Sequence, residues 1–375
     1  MRFLFFAPAV FLFYAGICFF LGIRLLAFLR CFLPSVKAAV FWPPFAFLCC
    51  AIVAVNLFRH NSHLLRQAGL IWMAVLLYLL MPLVLSEVVR LVLFLSGKKI
   101  PNFDLYAVGA SLLLCVILVV FGVLNARSIK TVNYNITLEG NGNGIRAVLI
   151  SDLHIGASIG KPRIEKIVDT INGTQSDIVF IAGDIFDGNL DVVQDLAGIA
   201  SQLKRINAPL GVYAVLGNHD VDRTRGDTQR IEEFLKTAGV TLLQDEARTV
   251  RENLHIAGRR DARPIGMNAG RKTPEEICAG LEGTVIMLDH QPTQFAQIEK
   301  AGAALVLCGH THSGQVFPGN LLTRVIFKMA GGTSYGYWRG ETMQAVVTSG
   351  AGYWGPPLRV GTNSETAVIN INFVR

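Results

Sequence analysis

The chain has 375 residues, of which 52% are hydrophobic and 16% charged, against roughly 25% charged in an average soluble domain. This apolar content excludes a disordered or collagen-like chain, and at about 100–200 residues per domain the length allows two or three units. Residues 1–140 carry 11 Lys and Arg against 3 Asp and Glu, a balance of +8, whereas residues 141–375 carry 23 against 24. The basic excess therefore sits in the apolar third, as charge flanking membrane spans. A nucleic-acid-binding domain would carry it on the folded unit, so no nucleic-acid polymer is expected as partner.

Residues 3–23, 38–58, 68–86 and 105–124 contain no charge. Each run is close to the ~20 apolar residues that cross a bilayer as a helix. A cleaved signal peptide would explain the first run only. Four runs predict an all-α, four-helix transmembrane region over residues 1–130 and a multi-pass membrane protein. Pro43, Pro44 and Pro82 would kink their helices, which neighbouring helices tolerate in lipid. Glu87 and Arg90, three apart, are expected to pair or to lie near the interface. The positive-inside rule leaves orientation undecided, because five basic residues fall on each side, and the side that holds the rest of the chain stays open. Of seven cysteines, five lie in this region and only Cys278 and Cys308 beyond it, which is no disulfide framework.

From about Thr131 the pattern changes. The runs 145–150, 178–182, 212–216, 254–257, 285–288 and 304–308 read as strands, several buried on both faces. Residues 162–172, 190–206, 228–238, 274–281 and 293–300 read as helices, with Pro162, Pro274 and Pro292 at or beside their starts. Two later runs, 344–349 and 366–373, have no helix between them and suggest a more antiparallel portion. Residues 140–375 are thus expected to form an α/β domain.

Polar residues fall where the strands end. Asp152-Leu153-His154, Gly183-Asp184-Ile185-Phe186-Asp187, Gly217-Asn218-His219-Asp220, Asp289-His290 and Gly309-His310-Thr311-His312 each follow a strand. In open α/β sheets the ligand crevice lies outside the carboxyl ends of the strands, so these groups can converge. Asp, His and Asn without thiolate suit hard or borderline divalent cations such as Mn, Fe and Zn, with enough ligands for two ions and a carboxylate as the bridge. Two such metals about 3.5–4 Å apart clamp the attacking and leaving oxygens of a phosphoryl displacement. Singly each motif is weak; a lone D-x-H arises by chance, and G-N-H-D alone is also a turn. The order of all five, each after a strand, carries the reading.

Together D-x-H, G-D-x-x-D, G-N-H-D, an isolated His and G-H-x-H resemble the calcineurin-like metallophosphoesterases, over roughly residues 140–375 and outside the apolar third. The resemblance implies a two-sheet αββα sandwich with a dinuclear centre at the strand ends. It implies that Asp152, His154, Asp184 and His312 hold one ion, and that Asp184, Asn218, His290 and His310 hold the second, with Asp184 bridging. His219 would be a non-ligand that protonates the leaving oxygen or stabilises the phosphoryl charge, with Asp220 orienting its ring. Asp187 would fix a ligand through a hydrogen bond. A membrane-anchored subgroup of the family is the most similar, with enzymes that act on phosphorylated lipids and on a nucleotide-linked lipid A precursor.

The residues that choose a substrate are less marked. Arg259, Arg260 and Arg263 follow a strand and would offer a guanidinium to a second phosphate, the alternative being a solvated basic loop. His60, His63 and His255 fit no block. Residues 321–340, with Phe327 and Trp338, read either as core or as an interfacial loop that grips an acyl chain. Tyr353, Trp354 and the following Gly-Pro-Pro would join that wall. The function expected is metal-dependent hydrolysis of a phosphoester or pyrophosphate bond, with a phosphorylated lipid or membrane-associated phosphoester as substrate and the bilayer as partner. The alternatives are a protein phosphatase, a soluble-nucleotide phosphodiesterase, or a membrane sensor whose metal site is structural.

Overall fold

The computed structural model describes residues 2–57, 63–188, 190–220, 227–262 and 270–374. The chain divides into two compact units, Met1–Gly122 and Val123–Arg375. The first consists of helices α1 (Arg2–Phe32), α2 (Ala38–Leu57), α3 (His63–Leu95) and α4 (Phe103–Arg127), whose last turn belongs to the second unit. Helices satisfy their own backbone polar groups, as lipid demands. Three contain stretches long and apolar enough to cross a membrane by length and composition: Pro8–Phe32, Gln67–Leu95 and Phe103–Arg127. The second run forms α2, twenty residues long with Pro43 and Pro44 inside it, and among the described residues its apolar stretch is Ala38–Ala51. Glu87 and Arg90 do pair, within a larger network in which Arg24 and Arg90 each meet both Glu87 and Asp104. Two cations against two anions leave no net charge among apolar helices, where an unpaired ion is expensive.

The second unit begins its first strand, β1 (Ile129–Glu139), after a single residue, Ser128. There follow β2 (Ile145–Ile150), α5 (Lys161–Gly173), β3 (Ile178–Ala182), α6 (Leu196–Leu203), β4 (Val212–Val215), α7 (Asp227–Thr237) and β5 (Thr241–Leu242). Next come β6 (Glu246–Arg251), β7 (Leu254–Gly258), α8 (Pro274–Cys278), β8 (Thr284–Leu288), α9 (Phe295–Lys300) and β9 (Leu305–Cys308). The chain ends with α10 (Gly319–Met329), β10 (Gly336–Arg339), β11 (Gln344–Val347) and β12 (Ser364–Val374).

Two mixed six-stranded sheets form, in the orders β1-β12-β2-β3-β4-β5 and β10-β11-β9-β8-β7-β6. Strand alternation decides the layers. In β2, Ala147 and Leu149 point between the sheets, where they meet Phe180, Ile256, Ile286, Leu305 and Val346, while Val148 and Ile150 point outward beneath α5, α6 and α7. The outer face of the second sheet packs Met287, Val306 and Val347 against Ile277 and Ile298 of α8 and α9. Helices on both outer faces of two stacked sheets make the αββα sandwich, and this burial on both sides explains why the central strands read as unbroken apolar runs. β12 returns antiparallel beside β2 and parallel beside β1 in an eleven-residue register, so the final strand closes the first sheet.

Candidate metal centre

Five chain reversals at the carboxyl ends of β2, β3, β4, β8 and β9 bring the polar residues together. The backbone makes the turn at once, with Asp152, His154, Asp184, His310 and His312 all at φ between 48° and 73°. Left-handed backbone costs a non-glycine residue roughly 1–2 kcal/mol, so this concentration marks a site held against its local preference. Two glycines permit the close approach. A Cβ on Gly217 would overlap the Asp184 carboxylate, and one on Gly309 would overlap Ser151 Oγ and Asp152 Oδ2.

Among the described residues three groups of ligand-type atoms result, each with its atoms within 4.8 Å: Asp152, His154 and His312; Asp184, His290 and His310; His154, Asp187 and His219. His154 Nε2 and His312 Nε2 approach to 3.0 Å, and His312 Nε2 lies 3.6 Å from Asp152 Oδ1. Asp184 Oδ2 is 3.2 Å from His290 Nε2 and 3.8 Å from His154 Nε2, so one carboxylate oxygen faces imidazoles of both sets. Its other oxygen accepts the His219 backbone N–H at 2.8 Å. His290 Nδ1 donates to the Ala182 carbonyl at 2.7 Å, which turns Nε2 into the site, the usual way a ligating imidazole is oriented. Asp152 accepts the His310 N–H at 3.0–3.1 Å through both oxygens.

The donor set fits divalent cations on an observation internal to the site. His290 Nε2, Asn218 Oδ1 and His154 Nδ1 are buried with no hydrogen-bond partner among the described residues. Buried polar atoms are almost always paired, so Asn218 Oδ1 and His290 Nε2, the latter 3.2 Å from Asp184 Oδ2, mark a place for a cation, whereas His154 Nδ1 lies toward Asp187. The electrostatics point the same way. Burial alone would raise the Asp184 carboxyl, but the imidazoles of His290, His154 and His219 outweigh it and hold the group well below the usual carboxylate range. Burial pulls the His290 imidazole down, yet Asp184 and Asp152 lift it well above its ordinary value.

The other sequence-derived residues are distributed as follows. Asp187, exposed, is 3.6 Å from His154 Nδ1 and 3.7 Å from His219 Nδ1. The role expected of Asp220 is corrected. Its fully buried carboxylate accepts the N–H groups of Ile185, Phe186 and Gly217 at 2.8–3.1 Å and ties the two central turns together. Burial and the neighbouring Asp184 push it up to about 7. The carboxylate that faces the His219 ring is Asp187. Arg259 is also placed differently: it is buried, bonded to Asp289 at 2.7 Å and to Gln294, and so braces the loop instead of opening to a phosphate. Arg260 points outward near Asp245, and Arg263 lies outside the described residues, as does His60. Residues 321–340 form α10 and β10, not a loop. Phe327 is half-buried on the inner side of α10, and Trp338 packs on Phe295 against the outer core of the second sheet, which removes it from an acyl-binding wall.

Two more residues belong to the site region: Trp354, expected in an acyl-binding wall, and Arg359, which no motif marks. Trp354, 53% exposed, sets its ring 5.7 Å from that of His219. Arg359 is fully buried and donates to the carbonyls of His312, Ser349, Gly350 and Gly352 at 2.6–3.4 Å, which pins the last ligand turn.

The αββα sandwich carries its Asp, His and Asn residues together at the carboxyl ends of the strands. The family model for calcineurin-like phosphoesterases matches residues 145–314. A transmembrane protein with a metallophosphoesterase domain from Danio rerio is 33% identical over 271 residues, which is 68% of this chain but only 60% of that relative. An uncharacterized metallophosphoesterase of Aquifex aeolicus is 30% identical over 69% of this chain and 97% of its own length. The solved 5'-nucleotidase precursor of Thermus thermophilus is similar at 17% identity and a TM-score of 0.36, covering 60% of this chain and 55% of that one, too distant to bear on substrate. The chain belongs to the calcineurin-like metallophosphoesterase family.

Proposed function

We propose that the chain binds two divalent cations and hydrolyses a phosphoester or pyrophosphate bond in a membrane-associated substrate, tethered by helices that cross the bilayer. The observation that carries this reading is Asp184 Oδ2, which faces His154 of one ligand set and His290 of the other. Asp152, His154, Asp184 and His312 would hold the first ion, and Asp184, Asn218, His290 and His310 the second. Bound there, such ions neutralise phosphoryl oxygens and lower the pKa of a bound water. His219 lies outside both sets. Its Nδ1 is turned to Asp187, which leaves Nε2 to give a proton to the departing oxygen. The membrane-associated substrate is supported by the apolar helices and by Ser128 alone separating α4 from β1.

His219→Ala is expected to keep its full metal content while turnover falls roughly 10²–10⁴-fold, the usual worth of a positioned acid. Loss of metal in parallel with turnover would make His219 a ligand. The substrate is tested with the full chain in detergent, supplied with Mn²⁺ and assayed against lipid-linked phosphoesters, pyrophosphates and soluble phosphodiesters. Release from the lipid class, with two metals per chain by elemental analysis, is the expected result. Cleavage of soluble nucleotides or phosphopeptides alone would replace the lipid with that class.

A further inference from the structure

We propose that α10 is a bilayer-docking helix, which lays its apolar face into the lipid surface and seats the metal centre at headgroup level. None of its eleven residues is buried. Leu321, Leu322, Val325, Ile326 and Met329 recur at i, i+1, i+4, i+5 and i+8, one stripe of a helix, and all face outward, with Leu322 62% and Met329 84% exposed. Phe317, just before the helix, is exposed as well. Folded domains rarely leave so continuous an apolar strip in water unless something covers it. The helix's charges are Arg324 and Lys328, with no acidic residue, the composition that suits a phosphate-rich headgroup layer.

Its place in the second unit makes lipid the occupant. Phe317 N–H donates to the Val360 carbonyl at 2.8 Å, and the Asn320 amide reaches the Gly361 carbonyl at 3.4 Å. The same segment holds the last turn of α4. Asn125 donates to the carbonyls of Arg359 and Thr362 at 3.1 and 2.7 Å, and Ser364 donates to that of Ala126 at 3.0 Å. The end of an apolar helix long enough to span a membrane and the root of an exposed amphipathic helix thus share one anchor. Upstream, α10 begins seven residues after His312. Between them, Gln315 exchanges two hydrogen bonds with the backbone of Trp354, the residue beside His219. A helix so seated would hold the site at the lipid surface whichever phosphoester is cleaved.

The test places an environment-sensitive fluorophore on Met329→Cys in the full chain, with the exposed Cys31 and Cys50 changed to Ser, reconstituted into vesicles of neutral and acidic phospholipid. A second label on Lys236→Cys, exposed on α7, is the control. Nitroxide-bearing lipids are expected to quench most of the emission at position 329 and little at position 236. Leu322→Glu with Val325→Glu, which alters no buried residue, is expected to abolish that quenching. An emission at 329 that is blue-shifted but unquenched would put protein over the stripe, either this chain's own helices or a second copy, and overturn the proposal. So would an unshifted, unquenched emission, or equal quenching at both positions.

Discussion

Asp184→Ala is expected to lower kcat/KM by at least about 10³-fold, some 4 kcal/mol of transition-state stabilisation, and to leave less than one metal per chain. Asp184 Oδ2 stands 3.2 Å from an imidazole of one ligand set and 3.8 Å from an imidazole of the other. The substitution also removes the acceptor of the His219 N–H, so the turn that carries Asn218 and His219 loses one of its anchors, with the Gly217 N–H still held by Asp220. Asp184→Asn separates the two effects. It retains an oxygen for that N–H but not the negative charge, so metal loss comparable to that of Asp184→Ala makes charge the cause. Elemental analysis beside steady-state kinetics reads both. Two retained ions with activity within tenfold of the parent would dismantle the assignment.

Arg359→Met is expected to produce a large loss of stability in the second unit. The guanidinium is fully buried, and burial lowers it to about 10, so it remains protonated at neutral pH. Its donors satisfy the carbonyls of His312, Ser349, Gly350 and Gly352, groups that no methionine can replace. At about 1 kcal/mol or more for each of the four buried acceptors left unmade, the penalty is about 4 kcal/mol or more. For a unit of this size that corresponds to a melting temperature lower by roughly 8–16 °C. The His312 turn loses its support as well, and defects of this kind lower metal affinity about 10–100-fold. Thermal melting and metal titration of the full chain check both numbers. Arg359→Lys should recover little, because a point charge on a flexible stem cannot span carbonyls that a planar fork holds together. Melting within a couple of degrees of the parent would show that the carbonyls find other partners.

Much of the architecture is visible before folding. Central strands such as β3, buried at every position, must be apolar throughout and therefore announce themselves. The helices α5 and α7 carry one apolar face each, and their proline or acidic starts agree with their positions. Strands with one wet face are harder to read. β1 alternates buried and exposed residues at an edge and takes its register from β12, some 235 positions away, so nothing local distinguishes it from a loop. α6 is shorter than its apolar run suggests because Asp195 caps it five residues late, where its carboxylate accepts the Gly198 N–H. In the sequence α10 resembles an irregular segment because its apolar face has no partner within the domain, and patterning is interpretable only against a known core.

By itself the sequence determined the chemical inventory: apolar runs that only lipid or a core accommodates, and Asp, His and Asn groups placed after strands. Those features are properties of residue type and spacing, which survive without knowledge of any distant neighbour. Tertiary structure decided which group faces which. It gave Asp220 to three backbone amides and left Asp187 beside His219, closed Arg259 against Asp289, and drew Arg359 under the His312 turn. Hydrogen bonds and ion pairs act over a few ångströms, between residues up to 47 positions apart in these cases, and only the folded chain sets such distances.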